Sequence, residues 1–154
     1  MRPIARSALL LLILLGTPCI QSAHAQQSIP AVGSEEDAKL IAKLVRSTLL
    51  ALHHANVTGN FTVLHALGSP SFRDRNNPGS LYQSFAALRA QAIQLDDVAV
   101  LQPVLAPAPT IEGGKYLKVS GSFPTKPKAI GFELLFELVN KVGTVVGLSV
   151  WSID

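Results

Sequence analysis

The chain has 154 residues, 48% hydrophobic and 15% charged, with 13 Lys plus Arg against 10 Asp plus Glu for a net charge of +3. That length suits one domain, and so apolar a composition excludes intrinsic disorder. Its 11 Gly and 10 Pro form no triplet repeat, which excludes a collagen-like architecture.

Arg2 and Arg6 precede the apolar run Ala8 to Leu15, and Ala23-His24-Ala25 follows as a small-x-small site. This pattern predicts a secretory signal peptide over residues 1–25, cut after Ala25. The apolar run is eight residues long, against the roughly 20 that a bilayer requires, so no membrane span is expected. Lipidation at Cys19 is the competing reading, but Gly16-Thr17-Pro18 departs from the small-residue box such processing needs. Cleavage would remove 25 of the 154 residues and two of the 13 basic side chains, leaving 129 residues with 11 bases, 10 acids and no cysteine. The product is expected to be periplasmic or secreted, near neutral, and stabilised by its core without disulfides.

Residues 26–33 lack periodicity and are expected to form a flexible tail ahead of a single domain over 34–154. Ser34 with Asp37 resembles a capping box, and Leu40, Ile41, Leu44, Val45, Thr48, Leu49 and Leu52 follow at helical spacing to about Ala55. Asn56 to Asn60 should stop that helix. A short helix is predicted over Phe61 to Leu67, a break at Gly68-Ser69-Pro70, and a polar connector over Ser71 to Asn77. A third helix is predicted from Leu81 to about Ile93, with Tyr82, Phe85, Leu88 and Ala92 as its apolar stripe.

After Leu95 the pattern becomes extended. A strand is predicted over Asp97 to Leu101, an irregular proline-bearing connector over Gln102 to Thr110, then three strands over Tyr116 to Phe123, Ala129 to Val139 and Val142 to Ile153. Ile130, Phe132, Leu134, Phe136 and Leu138 alternate with Glu133 and Glu137, and Asn140-Lys141 fits a two-residue turn. The layout is α+β: N-terminal helices packed on a curved four-strand antiparallel meander sheet. If Val139 pairs with Val142, the second face of the sheet carries Leu135, Val146, Leu148 and Val150. Such a face calls for a cover, and a homodimer through the sheet is one answer. A register shifted by one residue is the other, and both stay open.

The order of these elements, ending in Val145-Val146-Gly147-Leu148-Ser149-Val150, resembles the nuclear transport factor 2-like superfamily of cone-shaped α+β domains. Asn60-Phe61-Thr62-Val63-Leu64, Gly68-Ser69-Pro70-Ser71-Phe72-Arg73 and Gly121-Ser122-Phe123-Pro124-Thr125 resemble uncharacterised exported bacterial proteins of that fold. Gly143 stands where many relatives carry tryptophan. The resemblance implies a cone that either holds a small apolar ligand or houses isomerase- or dehydratase-type chemistry.

An isomerase of that kind needs a carboxylate base and an oxyanion donor aimed into the cone. The inward face of the longest strand is wholly apolar, and no member's catalytic set maps onto these residues, so no catalytic residue is assigned. Phe85, Phe132, Phe136 and Trp151 are the candidate ligand-pocket residues, and Arg73 and Arg75 the candidate anion-binding rim. A small lyase or isomerase using Asp74, Asp96, Asp97 or His65 is the alternative. His53 and His54 suit the negative end of the first helix. His65 has no partner at metal-ligand spacing, so neither metal nor cofactor is expected. Lys118 should pair across strands with Glu133 and Glu137. A mature charge of +1 without a basic run argues against nucleic acid. The favoured function is a non-catalytic exported domain that binds a small apolar ligand or a protein partner.

Overall fold

A computed structural model describes residues 33–140 and 142–153. The signal-peptide and Cys19 readings, most of the tail, and Lys141 of the hairpin turn lie outside the described residues.

Helix α1, Glu35–Thr58, starts at Ser34, whose Oγ accepts the Asp37 N–H at 3.0 Å while Asp37 Oδ2 accepts the Ser34 N–H at 3.3 Å. The helix runs one turn-fraction past the expected stop. Thr58 Oγ1 donates back to the His54 carbonyl at 2.6 Å, and the chain turns only at Gly59, whose φ of 72° is left-handed. The predicted stripe is the buried one, from Ile41 to Leu52.

Four short helices follow: α2 Thr62–Ala66, α3 Pro70–Arg75, α4 Pro78–Ser84 and α5 Ala86–Ala90. The third of the five helices corrects the expectation of a break and connector over 68–77, and α4 begins three residues before the start expected at Leu81. Ser69 caps α3 by accepting the Phe72 N–H at 3.2 Å, and Asn77 caps α4 by accepting the Ser80 N–H at 2.9 Å. In both, proline occupies the first helical position, where its missing N–H costs nothing and its fixed φ suits a helix. The third predicted helix is split at Phe85, which ends α4 and begins α5.

The strand expected over Asp97 to Leu101 is instead a 3-10 turn, Asp96–Ala99. Arg46 of α1 takes the carbonyls that a ladder would have used: Nε donates to Val98 O at 3.2 Å and Nη2 to Leu101 O at 3.0 Å. The connector that follows supplies two short strands instead. These are β1, Val104–Leu105, and β2, Thr110–Glu112, both antiparallel to β3, Tyr116–Phe123. With β4, Ala129–Val139, and β5, Val142–Ile153, they make a curved, open antiparallel sheet of five strands rather than four, ordered β1-β3-β4-β5 with β2 also on β3. The class is α+β.

The core lies between the helices and one face of this sheet. Ile41, Val45, Leu49 and Leu52 of α1 meet Leu117, Val119, Phe123, Ile130, Phe132, Leu134 and Phe136 in one apolar cluster. Gly143 stands under α1, where a Cβ would meet the Leu44 methyls.

The β4–β5 register resolves the two alternatives left by the sequence in a third way. Val139 pairs with Val142 and Phe136 with Val145, but Leu135 then pairs with Gly147, leaving Val146 as the extra residue of a β-bulge. Every later residue of β5 therefore changes face. Leu148 pairs with Leu134 and Val150 with Phe132, so both lie on the helix side and pack against the core. Their expected place on the outer face is corrected. Leu135 keeps that face, opposite Lys118.

Candidate functional site

The space between the helices and the middle of the sheet is filled by side chains. Phe132 and Phe136 are 0% and 1% exposed, and the Phe123 and Phe132 rings pack with centroids 5.6 Å apart. These side chains are core, which corrects the expectation that Phe132 and Phe136 line a ligand pocket.

The other two pocket candidates come together elsewhere, with the two residues that the bulge redirects. Phe85, Leu148, Val150 and Trp151 line an open cleft of about 330 Å³ between α4–α5 and the free side of β5. Ser84, Ala87, Leu88, Gln91, Ser149 and Ser152 complete it, and no lining residue is charged. Ser152 Oγ donates to Gln91 Oε1 at 2.8 Å, tying the strand to the end of α5. Trp151, 47% exposed, lies on the outer face across Gly131, where any Cβ would run into its indole ring.

One wall of the cleft is backbone. β5 is the last strand of the sheet, and its first half is capped: Val145 N donates to Leu67 O at 2.9 Å and Val145 O accepts from Ser69 N at 2.8 Å. Antiparallel ladders alternate the direction of their polar groups. Gly147, Ser149, Trp151 and Ile153 turn theirs toward β4, since their partners Leu135, Glu133, Gly131 and Ala129 alternate with residues that face β3. Leu148, Val150 and Ser152 turn their N–H and C=O groups outward. No strand pairs with them among the described residues.

Gln91, Leu88 and Ser84 were not singled out from sequence. Leu88 is visible there only as part of an apolar stripe, and the cleft exists because the helix is interrupted at Phe85 and the strand slips at Val146. Gly147, after a Val-Val pair, is the one sequence sign of such a bulge.

The remaining candidates are dispersed. Arg73 is committed within its own segment, with Nη1 donating to Gly68 O at 2.6 Å and its carbonyl 3.4 Å from His65 Nε2. Arg75 is exposed at the end of α3. Asp74 lies on α3, Asp96 and Asp97 on the 3-10 turn, and neither they nor His65 line the cleft. No group of three or more potential metal-ligating side chains occurs among the described residues. His53 and His54 stand a turn before the α1 terminus, which Thr58 and Gly59 close instead.

On the outer face Lys118 Nζ pairs with Glu133 at 3.3 Å and Lys115 Nζ with Glu137 at 3.2 Å. Hydrogen bonding to Tyr116 first, and to Glu137, raises the Lys115 ammonium above its ordinary pKa of 10.5. These pairs separate exposed Val139 and Val142 at the hairpin from Trp151 at the other end of the sheet. No helix among the described residues is long and apolar enough to cross a membrane. No protein-family model, curated protein or solved structure matches this chain.

Proposed function

We propose that this chain is an exported, non-catalytic binding domain that engages a protein partner along the free edge of β5. The observation that carries the reading is the row of outward N–H and C=O groups at Leu148, Val150 and Ser152 beside an uncharged cleft. Main-chain groups of an added strand supply affinity at such an edge, and a flanking pocket for alternate side chains supplies selectivity. The pattern of Met1 to Ala25 supports export, and the order of elements supports kinship with the nuclear transport factor 2-like superfamily. The burial of Phe132 and Phe136 argues against a ligand pocket built on those two side chains.

Dye-labelled extended peptides test the reading, one set uncharged with alternating apolar residues, one interrupted by proline, one charged. Saturable binding of the first set alone, accompanied by a change in Trp151 emission, is the expected result. Failure of all three sets to bind would remove the proposal.

A further inference from the structure

We infer that the notch between the end of α1 and the turn after α5 is a binding site for a short α-hydroxy carboxylate, held by Arg89 at its carboxylate and by Asn56 at its hydroxyl. The site is separate from the β5 edge and does not depend on it.

His53, Asn56 and Val57 share one face of α1 and form one wall of the notch, which holds about 120 Å³. Arg89 of α5 forms the other wall with Ala92 and Ile93. Ala92 has a φ of 50°, in the left-handed region that alanine seldom occupies, and its N–H donates to the Arg89 carbonyl at 3.0 Å. This turn returns the chain toward α1, so that Ile93 lines the notch as well.

Arg89 is held in place without its donors being used. Its guanidinium carbon lies 3.7 Å from the Tyr82 ring centroid and 5.7 Å from that of Phe61, so aromatic rings take the face of the group. The N–H donors lie in the guanidinium plane and point away from such a stack. Nη1 is buried without a partner, the other nitrogens are open to solvent, and Arg89 forms no ion pair among the described residues. Arg46, by contrast, spends its donors on Val98 O, Leu101 O and Gln102 Oε1. A planar cation fixed by stacking, with its fork free, suits a carboxylate.

Across the notch, Asn56 Oδ1 is also buried and accepts no hydrogen bond. Unmet buried donors and acceptors are costly, and one molecule that both accepts and donates satisfies this pair. Both side chains are only part-buried, so rotation about a terminal torsion brings these atoms to a ligand seated between them. No acid lines the notch, so the guanidinium calls for a net anion. An α-amino acid brings its own cation and leaves that charge uncompensated; an α-hydroxy acid does not. At about 30 Å³ per water the space suits about four to six non-hydrogen atoms. Val57, Ala92 and Ile93 offer an apolar lining for carbon, which favours a carboxylic acid over inorganic phosphate.

An NMR titration of the full chain at constant ionic strength tests the site with four probes: lactate, propionate, alanine and inorganic phosphate. Lactate should shift the Arg89 Nε–H and the Asn56 side-chain amide saturably, with a Kd below about 10 mM. Propionate, which lacks only the hydroxyl, should bind at least about fivefold more weakly, as should alanine and phosphate. Arg89→Gln should abolish lactate binding. Asn56→Leu should lower lactate to the level of propionate and leave propionate unchanged. The titration of the parent chain needs no variant and stands if either one folds poorly. Absence of saturable shifts at about 100 mM lactate overturns the inference. So do shifts centred on other residues, and so does propionate, alanine or phosphate binding as tightly as lactate.

Discussion

Trp151 lies flat across Gly131, its cross-strand partner on the outer face of the sheet. The pairing is obligatory in one direction, since a methyl group on residue 131 would occupy the same space as the indole Cε2, Nε1 and Cζ2 atoms. An aromatic ring over a strand glycine covers backbone that the glycine leaves bare.

Gly131→Ala should therefore expel the ring. The expected cost is about 1–3 kcal/mol, the usual range for forcing a methyl group into filled space. Trp151 is the one tryptophan in the chain, so its emission reports the event directly. A red shift in the native state with a lower urea midpoint is expected; an unchanged spectrum would mean that the ring rests elsewhere.

Arg46 acts as a staple between α1 and the 3-10 turn. Its side chain also reaches Gln102 Oε1 at 3.2 Å, so one residue holds the path of the chain from Val98 to Gln102. Arg46→Ala should cost about 1–3 kcal/mol, the loss expected when charge-assisted hydrogen bonds to part-buried carbonyls are removed. Faster amide exchange confined at first to residues 96–105 is the accompanying signature. Arg46→Lys should recover only part of the loss, because an ammonium cannot reproduce the forked geometry.

The bulge makes an asymmetric prediction about deletions in β5. Removing Val146 leaves Val145 opposite Phe136 and Gly147 opposite Leu135, so every side chain keeps its face. That deletion should cost less than about 1.5 kcal/mol. Removing Ser149 turns Val150 outward and Trp151 inward and should cost several times more, about 3–5 kcal/mol, as buried apolar area is lost and a ring is forced into the core. Thermal or urea unfolding of the two variants side by side checks the ratio.

Lys115 supplies the pH dependence. Its folded-state pKa lies above 10.5, raised by Tyr116 and then by Glu137. A cation whose pKa is raised on folding contributes fully below its unfolded value, and the contribution disappears as pH climbs through the folded value. Urea midpoints of Lys115→Met and parent should keep a constant offset near neutrality, and above about pH 10.5 the parent's midpoint should fall toward the variant's. The exposed position makes the effect small. Parallel curves for variant and parent across that range would contradict it.

Which parts of the fold were legible depends on where the determining force acts. The α1 stripe and the inward row Ile130 to Leu138 are periodic, and burial reads periodicity directly. The segments that were misread have mixed signals. Ser69-Pro70 and Asn77-Pro78 carry both a break and a start, and the start prevails because a capping side chain and a first-position proline act together. Asp97 to Leu101 has strand-like composition, but Arg46, some fifty residues earlier, claims its carbonyls. The cleft was the least legible feature. It depends on a one-residue slip at Val146, and a slip of one moves Leu148 and Val150 to the opposite side of the sheet. Phe85 and Trp151 were singled out from sequence for an interior pocket; they meet at an edge instead.

The clasp between Leu67–Ser69 and Val145 joins the beginning of the domain to its last strand through reciprocal backbone bonds. Its two halves are made far apart in time on a ribosome. The loop after α2 lacks these partners for the Leu67 carbonyl and the Ser69 amide until β5 has emerged, so the helical half reaches its finished state only after that strand is available. Contacts of such wide sequence separation slow the search for the native state. The domain is thereby built to complete its fold late, once β5 is available, with that strand acting as the keystone.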